Sequence, residues 1–246
     1  LNIQAPVVLR TNRLKTERAL LQKFLLEEEV STDFAPSTAD GLILRERKNV
    51  FTTQSFKRGL FEIQDGASQQ IAPLLKVEPG HRVLDGCAGA GGKTLHLAAL
   101  MQNKGKIIAM DVRAGKLEEL RKRCTRAGVD IAEARVIDSA KALKRLEDSM
   151  DRVLLDVPCS GIGVLRRIPD KKWRLNPDEM QNLRALQQEI LVGGARALKC
   201  GGRLVYATCS ILPSENHLQI TEFLKSRANS WRLAQENHFA PGENGY

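Results

Sequence analysis

Arg82-Val-Leu-Asp-Gly-Cys-Ala-Gly-Ala-Gly-Gly-Lys-Thr94 reads as a short apolar strand that ends on a carboxylate and opens through a glycine-rich turn into a helix. Two better-known turns of this kind are excluded by spacing. A Walker-type loop needs GxxxxGK[ST], but counting back from Gly92-Lys93-Thr94 puts Cys87 where the first glycine belongs. A dinucleotide fingerprint GxGxxG fails because Gly89-Ala-Gly91 is followed by Thr94 in the third glycine position. What remains is a tight turn that lets backbone approach a ligand at a helix start.

Downstream of this turn, apolar runs of strand length alternate with helical patterns. The expected strands cover 82–85, 106–111, 134–137, 151–157 and 202–207, and the expected helices 92–101, 116–127, 139–146, 177–198 and 214–225. Strands separated by helices predict an α/β fold, a doubly wound parallel sheet of Rossmann-like type. Upstream the pattern differs: a strand at 6–10, a helix at 16–30 and strand pieces at 42–44 and 61–63 predict a small α+β unit. The change falls between Arg58 and Gly66, where Asp65-Gly-Ala-Ser-Gln-Gln-Ile71 reads as a capped helix start. The expected division is therefore 1–62 and 63–246.

The chain has 246 residues, 42% hydrophobic and 27% charged, enough for one sizeable core and a smaller second one. No apolar stretch reaches the roughly 18 residues of a membrane-spanning helix. Leu1-Asn-Ile-Gln-Ala-Pro6 shows no basic-then-apolar export pattern, so a cytoplasmic place is expected, with no membrane partner. Five cysteines, Cys87, Cys124, Cys159, Cys200 and Cys209, fit neither a disulfide scaffold nor paired CxxC motifs. Reduced thiols follow, and His81, His96, His217 and His238 have no metal-ligand spacing, so no metal is expected. Nothing in the sequence demands more than a monomer.

Lys and Arg total 38 against 29 Asp and Glu, a net charge of +9 that suits a polyanionic partner. The run Arg121-Lys-Arg-Cys-Thr-Arg126 lies on an amphipathic pattern and reads as a solvated helix face. Arg166, Arg167, Lys171, Lys172 and Arg174 instead follow the Cys159 loop closely, where a phosphate backbone would lie beside any chemistry there. Phe51, Phe56 and Phe61 offer either stacking surfaces or core packing, and their flanking sequence suits the core.

Chemistry-bearing residues recur at the carboxyl ends of the expected strands, where open α/β sheets bind ligands. Cys159 sits in Asp156-Val-Pro-Cys-Ser-Gly161 after Val153-Leu154-Leu155, and Cys209 in Thr208-Cys-Ser210 after Leu204-Val205-Tyr206. Asp111, Asp138 and Asp156 each end a strand, and Asp111 lies 20 residues beyond Gly91, the distance at which a carboxylate meets ribose hydroxyls. Asp111 or Asp138 alone would serve equally as a helix N-cap. Three acids along one edge favour a nucleoside site. S-adenosyl-L-methionine suits it, with Asp111 on the ribose, Asp138 on the adenine amine and the backbone of 87–93 on the methionine portion.

Cys87-Ala-Gly-Ala-Gly-Gly-Lys-Thr94, Asp156-Val-Pro-Cys-Ser-Gly161 and Tyr206-Ala-Thr-Cys-Ser-Ile211, in this order, resemble the motifs of the Sun/Fmu-type family of RNA (cytosine-5) methyltransferases. The similarity extends to Leu9-Arg-Thr-Asn-Arg-Leu-Lys15 and Phe61-Glu-Ile-Gln-Asp-Gly-Ala-Ser68, and so covers nearly the whole chain. The resemblance implies a Rossmann-like methyltransferase fold behind an amino-terminal RNA-binding domain. It implies that Cys209 is the nucleophile and that Cys159 assists release from product. It places cofactor contacts on Cys87, Ala88, Gly89, Ala90, Gly91, Gly92 and Lys93, and on Asp111, Asp138 and Asp156. Ribosomal RNA is the implied substrate, with transfer RNA next.

That chemistry accounts for the residue types. Thiolate addition at carbon 6 of cytosine makes carbon 5 nucleophilic, splitting one hard step into easier ones. Lys93 would favour the Cys209 thiolate, Asp156 would bond the cytosine edge at nitrogen 3 and the exocyclic amine, and Cys159 would act as, or position, the base that takes the carbon 5 proton. The base must leave its stack, so single-stranded RNA or a flipped nucleotide is expected. Two other classes fit parts of the sequence: a noncatalytic RNA-binding assembly factor, and a nicotinamide-dependent oxidoreductase that leaves both cysteine motifs idle. Gly89-Ala90 departs from the family's usual Ala-Pro, which predicts a looser turn. The chain also ends before the final strands expected of the fold, which predicts that the full protein continues.

Overall fold

The computed structural model describes residues 4–138, 141–173, 176–228 and 230–239. Strands β1 (Val8–Thr11), β2 (Thr32–Phe34), β3 (Gly41–Leu44) and β4 (Phe61–Ile63) form an antiparallel sheet in the order β2-β3-β1-β4. Helices α1 (Arg18–Glu27) and α2 (Gln54–Lys57) accompany this sheet, and Leu9, Leu21, Leu25, Leu42, Leu60 and Phe61 form its core. Phe56 stacks at 5.6 Å on Phe61 and at 5.0 Å on Phe51, so the phenylalanines serve packing, with Phe51 alone exposed.

The second sheet contains β5 (Arg82–Asp85), β6 (Lys106–Asp111), β7 (Ala132–Val136), β8 (Met150–Asp156) and β9 (Leu198–Ala207), all parallel, in the order β7-β6-β5-β8-β9. Successive strand residues point to opposite faces, so one apolar run feeds two cores. Val83, Ile107 and Leu154 pack with Leu95, Leu97, Leu117 and Leu120 on one side. Leu84, Ile108, Val153 and Leu155 pack with Leu191, Ala195 and Phe223 on the other. The helices are α3 (Gly66–Leu74), α4 (Gly92–Leu100), α5 (Ala114–Ala127), α6 (Lys141–Lys144), α7 (Pro177–Ala197) and α8 (His217–Lys225). Asp65 caps α3 by accepting from Ala67 N at 3.0 Å, and Asn176 caps α7 by accepting from Glu179 N at 2.8 Å.

Several boundaries differ from expectation. The helix expected over 16–30 stops at Glu27, with Glu29 in a left-handed turn (φ 59°), and the following Thr32–Phe34 forms an unexpected strand by pairing with β3. The last strand begins at Leu198 rather than at 202, because Leu198 already pairs with Met150. The helix expected from 214 is preceded by a 3-10 turn at Pro213–Glu215. Ser139 and Arg174 lie outside the described residues.

The basic run at 121–126 is not simply a solvated face. Glu62 of β4, 3% exposed, receives both Arg123 and Arg126 of α5. Arg123 Nη1 also donates to Ala90 O at 2.9 Å, while buried Arg10 of β1 donates to Gly92 O at 2.7 Å and to the Gln64 side chain. The antiparallel sheet thus holds one carbonyl of the glycine turn directly, through Arg10, and a second through the pairing of Glu62 with Arg123 of α5. Burial pulls the Arg10 guanidinium down to about 10, which leaves it charged at neutral pH. Removing the charge at the centre, in Glu62→Gln, is expected to cost about 3 kcal/mol because the arginines stay in place unpaired. A urea unfolding midpoint equal to that of the native chain would refute this.

Candidate active site

The chain leaves β5, at the middle of the parallel sheet, towards β6 on one side and later returns to β8 on the other, so a crevice opens between the ends of β5 and β8. The glycine turn occupies one side of it. Gly89 (φ 53°) and Gly91 (φ 86°) adopt left-handed dihedrals, and a side chain on Gly91 would strike Leu120 at 2.7 Å. A side chain on Gly89 would meet nothing within 4 Å, so that face of the turn is open to a ligand. Cys87, Ala88, Gly89, Gly92, Lys93, Asp111 and Asp156 line one cavity here. Ala90 and Gly91 support the turn from behind, through Arg123 and Leu120.

Asp111 accepts from Gly89 N and from Arg113 N, both at 2.9 Å, so it ties β6 to the turn rather than capping α5, whose N-cap is Arg113. Asp138 is exposed and off the cavity wall, where Ile137 takes its place. Asp85, outside the expected site residues, is buried with Oδ2 accepting from the Thr94 hydroxyl at 2.7 Å and with no hydrogen-bond partner for Oδ1 among the described residues. Burial pushes its carboxyl up to about 6. Its place at a strand end, like the other three acids, was the available signal.

The four residues expected to carry chemistry come together. Pairing of Asp156 with Ala207 sets the two cysteine loops side by side, and Cys159 Sγ lies 3.1 Å from Cys209 Sγ. Lys93 pairs with Asp156, and all four line a groove beyond the cavity beside the glycine turn, with the Lys93–Asp156 pair belonging to both. All five cysteines are free thiols. Burial pushes Cys87 up to about 12 and Cys124 up to about 11, which leaves both unreactive near neutrality.

The Cys159 and Cys209 sulfurs lie within hydrogen-bond distance of each other. The S–H of Cys159 stabilises a Cys209 thiolate, and although burial and the charge of Asp156 oppose ionisation, Lys171 and Lys93 add to the effect, so Cys209 is shifted down. Cys159 is shifted up, first because it donates to Cys209 and then by burial. The pair therefore loses one proton easily and the second with difficulty. Of the basic run after Cys159, Lys171 faces this pair and crowds Gly161, whereas Arg167 pairs with Asp65 and donates to Pro6 O at 3.0 Å, tying the loop to the amino-terminal segment. Replacing Lys171 by alanine should raise the first ionisation of the pair. Thiol alkylation of Cys209 should slow more at pH 6.5 than at pH 8.5, and equal slowing at both would show that Lys171 has no electrostatic role.

A parallel sheet in this order, with a glycine turn after its central strand and a ligand crevice at its carboxyl edge, is the Rossmann-like fold of class I methyltransferases. A family model described as 16S rRNA methyltransferase RsmB/F matches residues 72–245. The chain belongs to this family, the Sun/Fmu family. It is 39% identical over 228 residues to the ribosomal RNA small subunit methyltransferase B of Shewanella oneidensis, covering 92% of this chain and 52% of that protein. It is 37% identical over 226 residues to the probable ribosomal RNA small subunit methyltransferase B of Synechocystis sp., covering 91% of this chain and 50% of the other. A solved methyltransferase homolog protein from Pyrococcus horikoshii superposes with a TM-score of 0.80 at 34% identity, over 91% of this chain and 70% of that one. The chain spans about half the length of the curated relatives it matches.

Proposed function

We propose that the chain is a cytoplasmic, S-adenosyl-L-methionine-dependent RNA cytosine-5 methyltransferase that acts on small-subunit ribosomal RNA through a covalent bond between Cys209 and the target cytosine. The single observation that carries this reading is the sulfur pair at 3.1 Å, set against an acid–lysine pair that also lines the cofactor cavity. A binding module has no use for a depressed thiol beside a second, raised one.

The residues present suit the cofactor. The open face of Gly89 leaves room for close approach, Asp85 Oδ1, unpartnered among the described residues, suits a cationic group, and Asp111 has a place for ribose hydroxyls while it holds the turn. The cofactor, when bound, supplies an electrophilic methyl group. Cys209 adds as thiolate to carbon 6 of a flipped cytosine, raising electron density at carbon 5. Asp156 accepts from the exocyclic amine and bonds the edge at nitrogen 3, which takes a proton from water on addition and returns it when the ring re-forms, and Lys93 holds Asp156 in place. Once carbon 5 carries its methyl group, its proton passes to Cys159, which has first given its own proton to water, or to a base that Cys159 positions. The carbon 5–carbon 6 double bond re-forms and the sulfur of Cys209 departs with its electron pair. The net positive charge and the amino-terminal sheet would hold the RNA strand.

Bisulfite sequencing of RNA from cells with and without the protein tests reaction, substrate and position together. The expected result is one or more small-subunit cytosines protected only when the protein is present. RNA affinity without methyl incorporation would favour the noncatalytic assembly factor instead.

A further inference from the structure

Glu215 is 0% exposed, in the 3-10 turn before α8, and makes no part of the cofactor cavity or of the proposed reaction. Its carboxylate nevertheless joins both cysteine loops. Oε1 accepts from Ser160 N at 2.8 Å and from Gln187 Nε2 at 2.9 Å, and Oε2 accepts from the Ser160 hydroxyl. The Ser210 hydroxyl lies 3.1 Å from that of Ser160, which joins the Cys209 loop to the clamp through Ser160. Ser160 and Ser210 are the residues immediately after Cys159 and Cys209. Gln187 of α7 extends the clamp by donating to Pro158 O at 2.9 Å, on the other side of Cys159. Tyr206, at the end of β9, donates to Glu215 O at 2.9 Å.

A buried carboxylate surrounded by neutral donors is costly unless its bonds are all made, and the same bonds then become rigid constraints. Here burial pushes the Glu215 carboxyl up, but the donors from Ser160 and Gln187 outweigh it, so the group stays ionised. The bonds reach from a third element to the two loops whose sulfurs must meet. We infer that Glu215 is a positioning residue for the thiol pair: its buried carboxylate fixes the Cys159 and Cys209 loops in one register, so that one sulfur can donate to the other. Loss of the clamp lets the loops part and removes the S–H donor that stabilises the thiolate. This rests on the proposed function for its catalytic consequence, although the geometry it describes exists without RNA or methyl donor.

The test uses the whole chain. Glu215→Gln keeps shape but presents an amide N–H2 where donors from Ser160 and Gln187 converge. Iodoacetamide alkylation is followed residue by residue by peptide mass spectrometry across pH, without RNA or methyl donor, and with exposed Cys200 as internal reference. The Cys209 profile is expected to move to higher pH, with about a tenfold loss of alkylation rate at pH 7, while the Cys200 profile stays in place. Methyl transfer should fall with kcat, not with KM for RNA. If Glu215→Gln does not melt cooperatively, Ser160→Ala and Ser210→Ala carry the test, each expected to give a smaller shift in the same direction. An unmoved Cys209 profile in a folded Glu215→Gln, or in both serine variants, would overturn the inference. A shifted profile in a chain that never methylates RNA would uphold it and sink the proposed function instead.

Discussion

Cys209→Ala is expected to abolish methyl transfer to RNA, with a loss of about a thousandfold or more in kcat and little change in RNA affinity. Without the sulfur there is no bond to carbon 6, and carbon 5 of an unactivated cytosine is too poor a nucleophile. The fold should survive, because Cys209 is exposed at a strand end and its removal leaves no core cavity. A melting transition displaced by no more than about 0.5 kcal/mol in stability would confirm that. Incorporation of labelled methyl groups at the native rate would end the covalent reading and with it the role given to the thiol pair.

Cys159→Ala should behave in the opposite way: it should capture the RNA rather than ignore it. Addition by Cys209 can still occur, but the site where the carbon 5 proton leaves is gone, so elimination should slow by about a hundredfold and a covalent protein–RNA adduct should accumulate. The adduct is read as a band that survives denaturing electrophoresis and disappears in Cys159→Ala combined with Cys209→Ala. The same change removes the S–H that stabilises the Cys209 thiolate at 3.1 Å. The thiol should then titrate nearer the ordinary range of about 8.5, so adduct formation should rise steeply with pH through that region. Free product released at the native rate, without adduct, would show that Cys159 has no part in release.

These two results differ because neighbouring sulfurs are held in different states. Lys171 and Lys93 favour charge on Cys209, and its partner keeps its own proton. The other thiols lack that combination. Cys124 is buried and Cys87 half-buried, and burial holds both thiols protonated near neutrality.

The elements that were legible in the sequence are those whose local patterns agree with their tertiary setting. The run 82–85, the glycine turn and the strand at 106–111 occupy the places expected of them, and Asp65 caps its helix. The family's cysteine and acid motifs were readable for the same reason: strand ends in a parallel sheet share one edge. Asp138 ends its strand exposed, with Ile137 on the cavity wall, because a strand end does not tell which way a side chain turns. The helical run 121–126 was misjudged because the partner of Arg123 and Arg126 is a glutamate some sixty residues earlier, on the other sheet. Glu215 carried no local signal at all, since an ordinary glutamate after a proline and a serine becomes a clamp only when two distant loops close on it.

By itself the sequence determined the βαβ alternation, the two-sided apolar strands and the chemical groups placed at their carboxyl ends, because these follow from periodicities of two and 3.6 residues within short windows. It took long-range packing to bring sulfurs 50 residues apart into contact, to seat a buried carboxylate against the loop that carries one of them and to set a second sheet against the glycine turn. Strand order, register and the partners of buried charges are set by the packing of the whole chain, and no local window contains them.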